Sequence, residues 1–256
     1  MTQHIERSAG EQVITPIGYI PTELPEKFGV PRQSGVVSAL RGIITFTPAY
    51  RNPDALRCLS GFSHIWVIWQ FSENVKENSQ EWQPMVRPPR LGGNQKVGVF
   101  ASRSPFRPNP LGLSVVQLEA VVLGPEDEAP WDGPEGPGVY PYLRVSGVDM
   151  MDGTPLYDIK PYIPSSDSIP DASPGFTAHS FKGRINEHMR VEIPEALRAK
   201  IPAGREEVIR ALLGVDPRPP YQRDPDRIYG MQYGSVNIRF RVDDDCVYVL
   251  DITEEE

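Results

Sequence analysis

Residues 84–118 carry five cations, Arg87, Arg90, Lys96, Arg103 and Arg107, and no carboxylate. The four arginines lie in two runs, Val-Arg-Pro-Pro-Arg-Leu-Gly-Gly-Asn at 86–94 and Gly-Val-Phe-Ala-Ser-Arg-Ser-Pro-Phe-Arg-Pro-Asn-Pro-Leu-Gly-Leu-Ser at 98–114, and Lys96 stands between them. The planar fork of arginine suits two-pronged contact with a carboxylate or phosphate. Arg103 and Arg107 stand four apart around Pro105. Together with Pro108 and Pro110, that proline stiffens the backbone, so the cations are placed before a ligand arrives and little entropy is lost on binding. The chemistry expected is recognition of an anionic or polar ligand. An ordinary solvated loop would not need this density of proline and glycine.

Three further segments bear on such a site. Phe28-Gly29-Val30-Pro31-Arg32-Gln33-Ser34-Gly35 reads as an irregular loop. Gln33 and the amides of Ser34 and Gly35 can hold a polar ligand edge, or the segment simply connects strands. Ser146-Gly147-Val148-Asp149 and the following Met-Met-Asp152-Gly-Thr-Pro lie at a strand end. There Asp149 suits a ligand hydroxyl or amine, whereas Asp152 suits the start of an Asp-Gly turn. Asp216-Pro-Arg218-Pro-Pro-Tyr221 puts an arginine and an aromatic ring on a stiff strut. It fits phosphate gripping with base stacking, and equally a structural arm.

Several chemistries lack their signature. There is no Gly-x-Gly-x-x-Gly turn for a doubly wound nucleotide fold. Gly93 and Gly98 have the spacing of a phosphate loop, but Val99 stands where lysine is required. Neither a zinc-hydrolase nor a serine-hydrolase motif occurs. The histidines, His4, His64, His179 and His188, are scattered, and His64 reads as a core residue of an apolar strand.

The elements that must position these residues are mainly strands. With 28 prolines in 256 residues an all-helical chain is excluded. Short apolar or β-branched runs at 13–20, 35–40, 43–47, 97–100, 113–123 and 139–148 read as strands, and 62–71 as a central strand buried on both faces. Asp54 is expected to cap a short helix over 54–59. An acidic Pro/Gly stretch over 124–138 reads as a surface insertion. A Pro-, Ser- and Asp-rich segment at 163–176 reads as a linker between domains, 13–165 and 175–256. Beyond it helices are expected over 194–200 and 205–213, with Gly214 at C′. Val236, Ile238, Phe240 and Val242 alternate with polar residues as a half-buried strand, which turns at 243–245 into a partner strand. The fold class is therefore mainly β, an all-β barrel or sandwich followed by a smaller α+β unit.

The net charge of −8 comes from acidic clusters at 126–135 and 243–256, so it does not exclude local phosphate contacts. Cys58 and Cys246, far apart, read as two buried thiols and not as a disulfide or zinc set. No apolar run reaches the length of a membrane span, and the polar start of the chain favours a cytoplasmic location.

On the basic run, the Ser146–Asp149 and Asp152–Pro155 segments and the Asp-Pro-Arg-Pro-Pro-Tyr strut, the chain resembles the TsaA-like/TrmO family of S-adenosylmethionine-dependent tRNA methyltransferases, from about residue 13 to residue 249. The resemblance implies a single-sheet β-barrel methyltransferase domain and a homodimer with active sites near the subunit interface. It implies methylation of N6 of threonylcarbamoyl-adenosine at position 37 of tRNA. Carried onto this chain, the cofactor positions are Gln33, Ser34, Gly35, Phe71, Ser72, Arg103, Leu113, Ser146, Gly147, Val148 and Asp149. Asp149 and Asp152 are the candidates for the catalytic base, and Arg90, Lys96, Arg107, Arg218 and Tyr221 for contacts with tRNA. No metal is expected. Two alternatives stay open at this point, a methyltransferase of the same fold with another substrate and a non-catalytic RNA-binding barrel.

Overall fold

The computed structural model describes residues 13–72, 82–88, 95–177, 188–219, 222 and 224–254. Arg90 and Tyr221 lie outside the described residues. Among the described residues up to 161 there are eight strands: β1 (Gly18–Ile20), β2 (Arg41–Phe46), β3 (His64–Gln70), β4 (Met85–Val86), β5 (Val97–Gly98), β6 (Leu111–Val122), β7 (Tyr142–Ser146) and β8 (Thr154–Pro161). Strands β1-β2-β7-β6-β3-β8 close a barrel in that order, each neighbour antiparallel. Strands β4 and β5 pair only with each other. The barrel forms because these strands send alternate side chains to one face. Ile65, Val67 and Trp69 of β3, Val116 and Leu118 of β6, Leu143 and Val145 of β7 and Leu156 of β8 fill the interior.

Several local expectations need correction. Strand β3 is buried on one face only. Its outer residues are half-covered, with Tyr162 lying against His64 and Trp66 (ring centroids 6.4 and 5.9 Å). His64 is thus a half-buried outer residue whose Nδ1 meets the Ser63 hydroxyl at 2.9 Å. The first strand is only Gly18–Ile20, and Val13 and Ile14 are exposed. Residues 35–40 form turns and no strand, because Gly35 takes φ +76° and the Leu40 amide folds back on the Val37 carbonyl. The short helix is a 3-10 turn, Pro53–Leu56, capped by Asn52, whose side chain accepts from the Asp54 amide. Val97–Gly98 is followed by a 3-10 turn at Val99–Ala101. Gly214 ends its helix from inside, with Val215 as the cap. Cys246 is buried, but Cys58 is exposed in a left-handed conformation.

The acidic insertion is more than a surface loop. Its Trp131 packs on Ile43, Val122 and Tyr142 on the outer side of the barrel, which leaves β7 buried on both faces. Arg144, on β7, is enclosed there. It pairs with Glu128, donates to the Ala129 carbonyl at 2.9 Å and lies over the Trp131 ring at 5.1 Å. A buried cation needs this much compensation. Glu128 also accepts from Tyr142 (2.5 Å) and Tyr140 (3.2 Å), and these bonds hold its carboxyl below the usual range against the opposing effect of desolvation.

C-terminal to β8, β9 (Arg190–Glu192), β10 (Tyr229–Tyr233), β11 (Val236–Asp243) and β12 (Cys246–Glu254) form a sheet ordered β10-β11-β12-β9. Strand β11 alternates as its sequence pattern requires, and the Glu206–Gly214 helix packs Val208, Ile209, Leu212 and Leu213 inward. The apolar residues of this sheet and of the barrel make one continuous cluster. Residues 22–32 join the two sheets. Phe28 stacks with Tyr229 and Phe240 at 6.3 Å, and Glu23 receives Tyr233 (2.6 Å) and Arg205 (2.7 Å). Arg205 also pairs with Asp132 of the insertion and donates to the Gly133 carbonyl at 2.9 Å. Among the described residues no helix is long and apolar enough to cross a membrane.

Candidate functional site

Two glycine-bearing loops meet at one end of the barrel. The turn after β7 places Gly147 at φ +72°, in the left-handed region that glycine enters without steric cost. Its carbonyl accepts from the Gly35 amide at 2.8 Å, and its amide donates to the Leu40 carbonyl at 2.8 Å. A Cβ at Gly147 would stand 3.3 Å from Gly35 N and Cα. Gly35 has open space where its own Cβ would be. Ser34, Gly35, Gly147 and Val148 are therefore brought together from distant parts of the chain.

Asp149 follows directly and sets the electrostatics. Its Oδ1 is enclosed and has no hydrogen-bond partner. Burial pushes the carboxyl up to about 6 from an ordinary 3.8, overriding the opposing effects of the Ser114 hydroxyl, the amides of Asp149 and Ser34 and the charge of Arg103. Ser114 belongs to the inward row of β6 with Gly112, Val116 and Leu118, and is almost wholly buried. Its hydroxyl accepts from Trp69 Nε1 at 3.0 Å and favours the charged form of Asp149. The Trp69 ring meets Phe71 at 4.4 Å, and the Phe71 amide donates to the Pro110 carbonyl at 2.9 Å, joining the end of β3 to the start of β6. Half-buried Ser72 comes next. An enclosed acceptor beside two aromatic rings and open backbone suits a ligand with a planar ring system and an N–H donor.

Arg103 donates to Gln33 Oε1, and Gln33 Nε2 donates to the Arg32 carbonyl at 2.6 Å. The basic run and the 28–35 loop thus meet at this site. Ser146 is buried at the end of β7, paired across to Arg41 and Gln117.

Other expected residues stand apart. The Leu113 side chain is 56% exposed on the face of β6 opposite Ser114. Asp152 is exposed, and its Oδ1 accepts from the Thr22 amide at 3.0 Å, which anchors the Asp-Gly turn. Arg107 donates to the Ser102 carbonyl at 3.1 Å and closes its own loop. Arg218 is bound on both prongs by Asp216 (2.8 and 3.1 Å), and its carbonyl receives Arg32 at 2.8 Å. Lys96 is exposed beside β5. The residues missed in the sequence are Ser114 and Trp69. The available signal was the period of β6, which puts one hydroxyl in an otherwise apolar inward row.

The family model for the tRNA-methyltransferase O N-terminal domain matches residues 19–168, and that for the TrmO C-terminal domain matches residues 186–255. A tRNA (adenine(37)-N6)-methyltransferase of Escherichia coli (strain K12) is 36% identical over 233 residues, which cover 89% of this chain and 92% of the relative. A protein of the same name from Eikenella corrodens is 43% identical over 185 residues, covering 71% of this chain and 92% of the relative. A crystal structure of TrmO from Pseudomonas aeruginosa superposes with a TM-score of 0.70 at 29% identity, covering 95% of this chain and 99% of that one.

Proposed function

Since the chain belongs to the tRNA-methyltransferase O family, it is an enzyme of the tRNA (adenine(37)-N6)-methyltransferase kind, and we propose that it methylates N6 of threonylcarbamoyl-adenosine at position 37, using S-adenosylmethionine. The observation that carries the site assignment is the enclosed Asp149 Oδ1 without a partner between two joined glycine loops. An orphaned buried acceptor carries a desolvation cost, which favours a ligand that brings an N–H. S-adenosylmethionine has such groups and a flat adenine, so the residues present fit it. When bound it supplies a methyl group on a sulfonium, already electrophilic, which leaves positioning as the main work of the protein.

In this reading Ser34, Gly35, Gly147 and Val148 offer backbone to the donor, Trp69, Phe71 and Ser72 line its rim, and Gln33 holds Arg103 toward a carboxylate. Leu113 takes part through its backbone only. With a methyl donor bound, the Asp149 carboxylate, whose proton affinity burial has raised, would take the proton that leaves N6. Asp152, bound to the Thr22 amide, serves the turn and not the proton. Two copies form the proposed dimer, and light scattering reads the mass directly.

The test is transfer of a labelled methyl group to tRNA carrying threonylcarbamoyl-adenosine and to the same tRNA without it, over a range of salt. Label on the modified tRNA alone is expected. No transfer to either overturns the reading, and equal transfer to both assigns the same chemistry to another substrate.

A further inference from the structure

Large aromatic side chains are seldom left open to water without a partner to meet. Trp82 is 48% and Phe100 73% exposed, and their rings form one offset pair, 6.2 Å between centroids and 21° between planes. Met85 and Phe106 are exposed with them. The group is built on backbone. Met85 pairs with Gly98 across β4 and β5, the Val99 amide donates to the Pro84 carbonyl at 3.0 Å, and the Gln83 amide donates to the Phe106 carbonyl at 3.4 Å. Buried Val99 anchors the turn that raises Phe100. None of these rings belongs to the pocket around Asp149. The loop that carries Phe100 and Phe106 is, however, the one that delivers Arg103 to Gln33.

We propose that this aromatic shelf docks single-stranded RNA, stacking an unpaired base of the loop that carries the target adenosine; the proposal rests on the tRNA reading given above. Charge decides the occupant. Exposed Arg87 and Lys96 lie in the same stretch of chain as the rings, and from Trp82 to Leu118 that sequence has no carboxylate. A polyanion with free aromatic faces satisfies both features at once, because bases stack on the rings while phosphates meet the cations. A second copy of the chain fits less well. Pairing of this face with itself around a two-fold axis would bring the same cations against their own copies. Stacking tolerates any base, so the shelf would add affinity and place the loop without reading sequence.

The experiment measures binding of three RNAs to the full chain: a stem-loop, the same stem with an abasic loop, and a blunt duplex. Trp82→Ala and Phe100→Ala are each expected to weaken stem-loop binding about tenfold and to raise KM for tRNA with kcat little changed. Phe100→Tyr should keep the affinity, and Phe100→Leu should lose it, since leucine keeps an apolar surface but offers no ring. The abasic loop should bind wild type as weakly as the stem-loop binds the variants. S-adenosylmethionine affinity, read by calorimetry, should stay at the wild-type value and so certify the fold. Unchanged RNA affinity in both alanine variants overturns the shelf while the methyltransferase reading stands, provided wild type still labels tRNA. Loss of self-association in the variants, with RNA binding intact, overturns it in favour of a contact between copies. Failure of wild type to methylate any tRNA sinks the functional reading alone, since ring-dependent binding is scored separately.

Discussion

Asp149→Asn tests the electrostatic reading of the site most directly. Asparagine keeps the shape of the side chain and removes its charge. In the folded chain burial moves the Asp149 carboxyl from 3.8 to about 6. The folded state therefore holds the proton more tightly than the unfolded state, and the neutral form contributes stability. That contribution is fully present below about pH 4 and is lost as pH rises through about 6. The gap corresponds to about 3 kcal/mol. Wild type should lose roughly that amount across the window through this group, and the Asn variant should not. Urea unfolding at pH steps from 4 to 8, plotted as the difference between variant and wild type, isolates the Asp149 contribution from the other carboxyls. The variant should gain relative stability as pH rises and should lose methyl transfer. A flat difference across this window would refute the assignment of a buried carboxyl titrating near 6.

Three further outcomes follow from named contacts. Arg103→Ala should weaken S-adenosylmethionine binding about tenfold, and unchanged calorimetric affinity would remove Arg103 from the donor site. Arg205→Ala strips half-buried Glu23 of its cation and should cost about 2 kcal/mol in urea unfolding; a loss below about 0.5 kcal/mol would contradict the joint described between sheet, insertion and barrel. Gly147→Ala and Gly35→Ala both force alanine into left-handed backbone, at roughly 1–2 kcal/mol each, but only the first pushes a methyl against the facing loop. Gly147→Ala should therefore lose more donor affinity than Gly35→Ala, and equal losses would show that the loop contact is immaterial.

The strands that alternate strongly were legible in the sequence. Val236 to Val242 appear as read, and β6 differs from its expected bounds by a residue or two. Local pattern failed where tertiary contact decides. Residues 35–40 are apolar enough for a strand, yet the hydrogen bonds between Gly35 and Gly147 and between Gly147 and Leu40 hold them as turns. The insertion looked solvated by composition, but Trp131 and Glu128 are drawn onto Arg144, a partner that no local window contains. The site followed the same rule. Loops rich in glycine pointed to Ser34, Gly35, Gly147 and Asp149. Ser114 and Trp69 escaped notice because their role depends on which strands are neighbours in the barrel. Arg107 and Arg218 looked available as cations until their intramolecular partners were visible.

The segment 22–32 has a mechanical consequence. It leaves β1, is gripped by the second sheet through Glu23 and Phe28, and delivers Gln33, Ser34 and Gly35 to the site within a few residues. No slack separates the grip from the loop. Unfolding of either sheet would dismantle the other's anchorage, so heating should melt the chain in one cooperative step, and a small molecule seated on the Ser34–Gly35 turn should raise the melting temperature of the distant sheet as much as that of the barrel.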